Sequence, residues 1–166
     1  MPTFLCTSRY RKTFRLPERL EIAHVREGAL GPWYANILNI GSLRLLHYMS
    51  ETSLLSVVIP LRERGSAPQR FVAALQELLR DLGVPAAHIE QEAALLADVQ
   101  YGRASDLSKL GSMRDQARSV RFHVHEESLS EINVRLTENP CGAMNYASPR
   151  VVAPSVLKTT WGIKRR

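Results

Sequence analysis

Apolar positions in this chain first recur with a period of two and then, from about residue 66, with a period near 3.6. In the first part, Trp33, Ala35, Ile37 and Asn39 alternate with Tyr34, Asn36, Leu38 and Ile40. Gly41-Ser42 follows, and then a second β-rich run from Leu43 to Tyr48, so the spacing predicts a hairpin. Leu54 to Leu61 predicts a further strand, which Pro60 either ends or confines to an edge. These three strands read as an antiparallel meander, and Thr3 to Thr7 reads as a short first strand with Phe4 and Cys6 on one face. Ser8 to Phe14 is too polar and basic to assign from pattern, and a single helical turn is one reading. Leu16 to Gly31 reads as loop, with a short helical turn over Glu18 to Val25.

The second part is helical. Phe71, Ala74, Leu75, Leu78, Leu79 and Leu82 share one face of a helix capped by Ser66 and closed by Gly83. Pro85 opens a helix running to about Leu96, and Asp98 to Gly102 reads as a short strand. Ser128 and Glu131 match a capping box ahead of Leu129, Ile132 and Leu136, and Asn139-Pro140 ends that helix. Ser148-Pro149 starts a last helix carrying Val151, Val152 and Val156, with 159–166 as a frayed tail. Strands before helices imply a single α+β domain over 1–166: an antiparallel sheet of three to five strands with helices packed mainly on one face.

The stretch from Tyr101 to Phe122 organises the rest. Leu107, Leu110, Met113, Ala117 and Val120 would face a core, with Ser105 or Asp106 as cap. Arg114, Arg118 and Arg121, with Lys109, occupy a different side of the same helix. Gly111 inside it costs about 1 kcal/mol relative to Ala, which implies a close backbone approach or a break.

Composition narrows the class without naming a ligand. An apolar fraction of 45% and a charged fraction of 23% fit an ordinary globular domain. No apolar run nears the ~20 residues that cross a bilayer, and no secretory signal is read at the N-terminus, so a cytoplasmic protein without a membrane partner is expected. The net charge of +6 favours phosphate-rich or acidic partners. It is concentrated at Arg9, Arg11, Lys12 and Arg15, in the helix just described, and at Lys158 and Lys164 to Arg166, as one surface or as separate faces. Cys6 and Cys141 read as free thiols in a reducing compartment.

Candidate chemistry is sparse. If extended, His123 and His125 would point to one side and could bind a metal with a nearby carboxylate, but no third ligand is evident. A solvated junction between helices is the alternative. His24, His47 and His88 are isolated, and Asp106 and Asp115 are too far apart to share an ion. Glu126, Glu127 and Glu131 are explained by helix capping. Phosphate-loop, dinucleotide, zinc-protease and nucleophile-elbow motifs are absent, so no cofactor or metal is expected. Asn36, Asn39, Tyr48, Asn145 and Tyr146 are a set from which a polar pocket could form. The basic helix side is the strongest feature: its arginines suit phosphates, and Tyr10, Tyr101 and Phe122 could stack on unpaired bases.

Four segments, LCTSRY, WYANILNI at 33–40, LGSMRDQA at 110–117 and SLSEINVRLTENPCGAMNY at 128–146, together resemble a family of small uncharacterised bacterial proteins, a domain of unknown function. Arg114 departs from that family's usual asparagine-like residue, and Cys141 stands where methionine is commoner. The resemblance implies a compact α+β protein of bacterial or phage type and no reaction. It singles out Asn36, Ser112, Asp115 and Asn139 as shared polar positions. The expected function is non-enzymatic binding of nucleic acid or an acidic protein partner, in a bacterial, phage or plasmid setting. A small metal-dependent hydrolase or nuclease using His123 and His125 is the alternative. Self-association through an exposed hairpin edge is a further expectation.

Overall fold

The structure, a computed structural model, describes residues 1–20, 27–145 and 147–162. Most of the helical turn expected over Glu18 to Val25, together with His24, Tyr146 and Lys164 to Arg166, lies outside the described residues.

The fold is α+β, built on a five-stranded sheet. In chain order the elements are β1 (Thr3–Cys6), α1 (Ser8–Thr13), β2 (Trp33–Ile40), β3 (Leu43–Ser50), β4 (Ser56–Pro60), α2 (Ala67–Asp81), α3 (Ala86–Leu95), β5 (Gln100–Arg103), α4 (Leu107–His123), α5 (Leu129–Thr137) and α6 (Pro149–Trp161). The sheet order is β4-β3-β2-β1-β5. The predicted meander is present as β2, β3 and β4, with Trp33 opposite Ser50 and Leu45 opposite Pro60.

Two features differ from the expectation. The sheet is mixed, because β1 runs parallel to both β2 and β5. A parallel neighbour needs a crossover, and the chain makes one through α1 and a second through α2 and α3 before β5 joins β1. The helices also cover both faces. Phe71, Leu75, Leu78 and Leu79 of α2, Tyr10 of α1, Ile89 of α3 and Leu157 of α6 pack on Phe4, Trp33, Tyr48 and Val57. On the opposite face, Ala117 and Val120 of α4 and Ile132 and Leu136 of α5 pack on Leu38, Leu45 and Val58. Burial on two sides explains why β3 and β4 are near-continuous apolar runs without strict alternation.

On the outer edge of β4, the backbone of Val58 is occupied. Val58 N donates to Asn133 Oδ1 at 2.8 Å, and Asn133 Nδ2 donates to Val58 O at 3.2 Å, so an α5 side chain supplies what another strand would. Pro60 ends this edge strand, as its missing N–H requires.

Helix ends follow the capping rules with local corrections. Asp106, not Ser105, caps α4, accepting from Ser108 N and Lys109 N. Ser66 makes no capping bond; its hydroxyl donates to Glu63 O and accepts from Arg70 Nε. Leu107, expected in the core, is the first residue of α4 and is 79% exposed. In α6 the buried residues are Pro149, Ala153 and Leu157, whereas Val151 faces outward, and the helix continues to Trp161 through the start of the expected frayed tail. Trp161 docks by donating from Nε1 to the buried Glu92 carboxylate, which also accepts from Ala29 N and Leu30 N. No helix among the described residues is long and apolar enough to cross a membrane.

Candidate nucleic-acid interface

Helix α4 lies along the second face of the sheet, held by Met113, Gln116, Ala117 and Val120, all buried. Helical spacing then turns Arg114, Arg118 and Arg121 outward, and all three are exposed. Arg114, Arg118 and Phe122 stand four residues apart on one stripe, about 6 Å per step along the axis. Phe122 is 79% exposed, an unusual setting for a ring of this size, and meets His123 edge-on at 4.9 Å. Arg118 pairs with Asp115 at 3.2 Å, an exposed contact worth at most about 1 kcal/mol. Lys109 is partly tied down, donating to Glu51 O at 3.1 Å. Of the aromatic residues expected to stack, Tyr10 is buried in the main core, its hydroxyl 2.9 Å from that of Tyr48, and Tyr101 is half-buried.

Gly111 neither breaks α4 nor meets a close neighbour. The helix is continuous, and the nearest atom to an added Cβ would be Arg114 Nη2 at 4.0 Å. Both expectations drawn from it are therefore overturned, since the nearest neighbour is the end of a flexible side chain at ordinary contact distance.

Ser112, Asp115 and Asn139, singled out by the family resemblance, meet in a cavity of about 360 Å3 between α4 and the loop after α5. Gln116, Cys141 and Gly142 also line it. Burial, and then the Asp115 charge, raises the Cys141 thiol above its ordinary value, so it is no activated nucleophile. Burial pushes Cys6 up to about 12 in the main core; both cysteines are free.

Asn36 stands apart from that cavity but on the same face of the sheet. It accepts from Thr7 Oγ1 at 2.7 Å and lies directly opposite His47 on β3. His47 Nε2 lies 3.2 Å from Gln116 Oε1 and 2.9 Å from Ser56 Oγ, and Ser56 donates to the same Gln116 oxygen. Gln116 Nε2 donates to Leu54 O at 2.9 Å. The amide oxygen can only accept, so Nε2 carries the imidazole proton, and Nδ1 has no partner among the described residues. Burial pulls His47 down to about 4, which keeps the ring neutral. Gln116 thus joins the cavity wall to a polar row beneath α4. Single-sequence reading missed Gln116 and Ser56, because a lone glutamine or serine carries no pattern; the only signal was His47 amid apolar neighbours.

Among the described residues, the other expected polar set does not come together. Tyr48 faces the α2 side and Asn36 the α4 side, while Asn145 takes a left-handed turn after a short 3-10 segment. His123 and His125 are not on one extended strand: His123 ends α4 and His125 lies in the following turn. His123 Nδ1 lies 3.7 Å from Glu127, whose carboxyl is held below its usual range first by its hydrogen bonds from Arg135. Glu131 closes the capping box with Ser128, accepting from Ser128 N at 2.7 Å. Among the described residues, no group of three or more His, Cys, Asp or Glu is placed to hold a metal ion.

Arg9, Arg11 and Lys12 of the N-terminal basic cluster lie on α1, which packs on the opposite face of the sheet from α4. No curated protein and no solved structure matches this chain. A family model does match, over residues 3–152, and the chain belongs to that family, described as a domain of unknown function (DUF6933).

Proposed function

We propose that this protein is a non-enzymatic binder of single-stranded nucleic acid, using the outer side of α4. The observation that carries the reading is Phe122, largely exposed at the end of the Arg114–Arg118 stripe. Cations on such a stripe contact phosphates, and an exposed ring offers a stacking platform to any unpaired base. The neighbouring cavity, with the Ser112 hydroxyl, the Asp115 carboxylate and the Asn139 amide, supplies hydrogen-bonding groups for a base edge. A bacterial, phage or plasmid setting and a cytoplasmic location fit this activity. An acidic protein partner would use the same arginines but has no need of an exposed aromatic ring. The metal-dependent alternative has no donor set among the described residues and gains no observation in its favour.

The test is Phe122→Ala, assayed by single-strand binding. Loss of a stacked base weakens affinity by about 1–3 kcal/mol at all salt concentrations, with little effect on duplex binding. Unchanged single-strand affinity would remove the ring from the interface and leave the acidic partner as the better reading.

A further inference from the structure

We infer that a second anion site, distinct from α4, lies at the end of the sheet where β2 turns into β3. Three segments meet there in a cleft of about 430 Å3: the end of α1 with Lys12, Thr13 and Arg15, Arg44 at the start of β3, and Arg62 and Arg64 just after β4. Leu61 is its apolar wall. Among the described residues no carboxylate lines it; Glu63, between two of the arginines, does not. The cleft is tied together by Arg64 Nη1 donating to Thr13 O at 2.7 Å and Leu61 N donating to Arg44 O at 2.9 Å.

Arg64 helps hold the segments together, but five like charges around one hollow repel each other when it is empty. The backbone of Arg15 points the same way. Both α1 and α2 end in the same motif, in which a left-handed residue follows the cap. In α2 that residue is Gly83, at φ +76°, with Gly83 N donating to Arg80 O and Val84 N to Leu79 O. In α1 the corresponding bonds run from Arg15 N to Lys12 O and from Leu16 N to Arg11 O, but the left-handed residue is arginine, at φ +51°. A glycine carries no Cβ penalty there. The helix end thus tolerates an unfavourable conformation to place a guanidinium in the cleft.

The lining identifies the class of ligand. Guanidinium forks match phosphate oxygens, while among the described residues the cleft has no aromatic ring to stack a base and no carboxylate to hold an amine. The occupant is a multiply charged phosphate group, either a free polyphosphate or the phosphorylated end of a nucleic-acid strand.

Calorimetric titration of the whole chain with inorganic triphosphate at low salt tests this. The expected result is saturable binding, weakened at least tenfold by Arg44→Glu/Arg62→Glu and hardly at all by the charge-matched control Arg80→Glu/Lys158→Glu. Arg15→Gly should weaken binding several-fold while raising the unfolding temperature, a combination that a purely structural residue would not give. An oligonucleotide with a 5′-phosphate, compared with its 5′-hydroxyl counterpart, distinguishes the sources. Tighter binding that Arg44→Glu/Arg62→Glu abolishes identifies a strand end, and equal binding identifies a free polyphosphate. No saturable triphosphate binding, or equal weakening by the control variant, would overturn the site.

Discussion

Gln116 on α4 and His47 on β3 are joined by a 3.2 Å hydrogen bond in which the imidazole Nε2 donates to the amide oxygen. This bond fixes the tautomer of a histidine with no solvent exposure and couples the helix carrying the arginine stripe to the middle of the sheet. A neutral ring is required there, because burial in this setting penalises the imidazolium.

Stability should therefore depend on pH through His47. Its folded value, about 4, lies below the ordinary 6.5, so above pH 6.5 neither state holds the proton and the full stability is present. As pH falls from 6.5 towards 4, the unfolded chain takes up a proton that the folded chain refuses. Folding then loses on the order of 3 kcal/mol, and the loss levels off once both states are protonated. Urea unfolding across this range should show that one-proton slope in the native protein, and His47→Gln should lack it. Identical slopes in both would mean that His47 is not buried neutral.

Asn133 should be among the most sensitive positions for stability. Its amide satisfies both the N–H and the C=O of Val58 on the sheet edge. Asn133→Ala leaves two buried backbone groups without partners and should cost about 3 kcal/mol in the urea-unfolding free energy. A loss below about 1 kcal/mol would mean that water replaces the amide and that the edge is open to solvent. The same variant should bring out strand-to-strand association, measurable by light scattering.

Gly111→Ala should stabilise the protein. Gly111 has no left-handed φ and an added Cβ would meet nothing closer than 4.0 Å, so the helix gains up to about 1 kcal/mol. Thermal unfolding should show a higher midpoint. A lower midpoint would reveal packing that the helix surface does not show. Reduced single-strand affinity at the higher midpoint would place the ligand against the α4 backbone.

The strand–helix division and most element starts were legible because period and caps are local properties: Ser128 with Glu131 announces its helix end wherever the helix packs. The parallel pairing of β1 was not, since Thr3–Cys6 carries the same apolar residues whichever strand it joins. Helices on both faces were hinted at by Leu54–Leu61, an apolar run too uniform for a half-exposed strand. At the candidate site the sequence alone exposed the arginines, because a cation stripe repeats along one helix. The resemblance picked out Ser112, Asp115 and Asn139, which the fold brings into one cavity. Gln116, and the cleft formed by Arg15, Arg44 and Arg62, were beyond it, since tertiary structure joins residues with no common period.

The most direct test of α4 as a phosphate-binding face is binding of a labelled single-stranded oligonucleotide across a salt series, comparing the native protein with Arg114→Glu/Arg118→Glu. Removing two phosphate contacts should weaken binding and make the plot of log affinity against log salt shallower by about 1.4. No binding by the native protein at low salt, or an unchanged affinity and slope in the variant, would contradict the assignment.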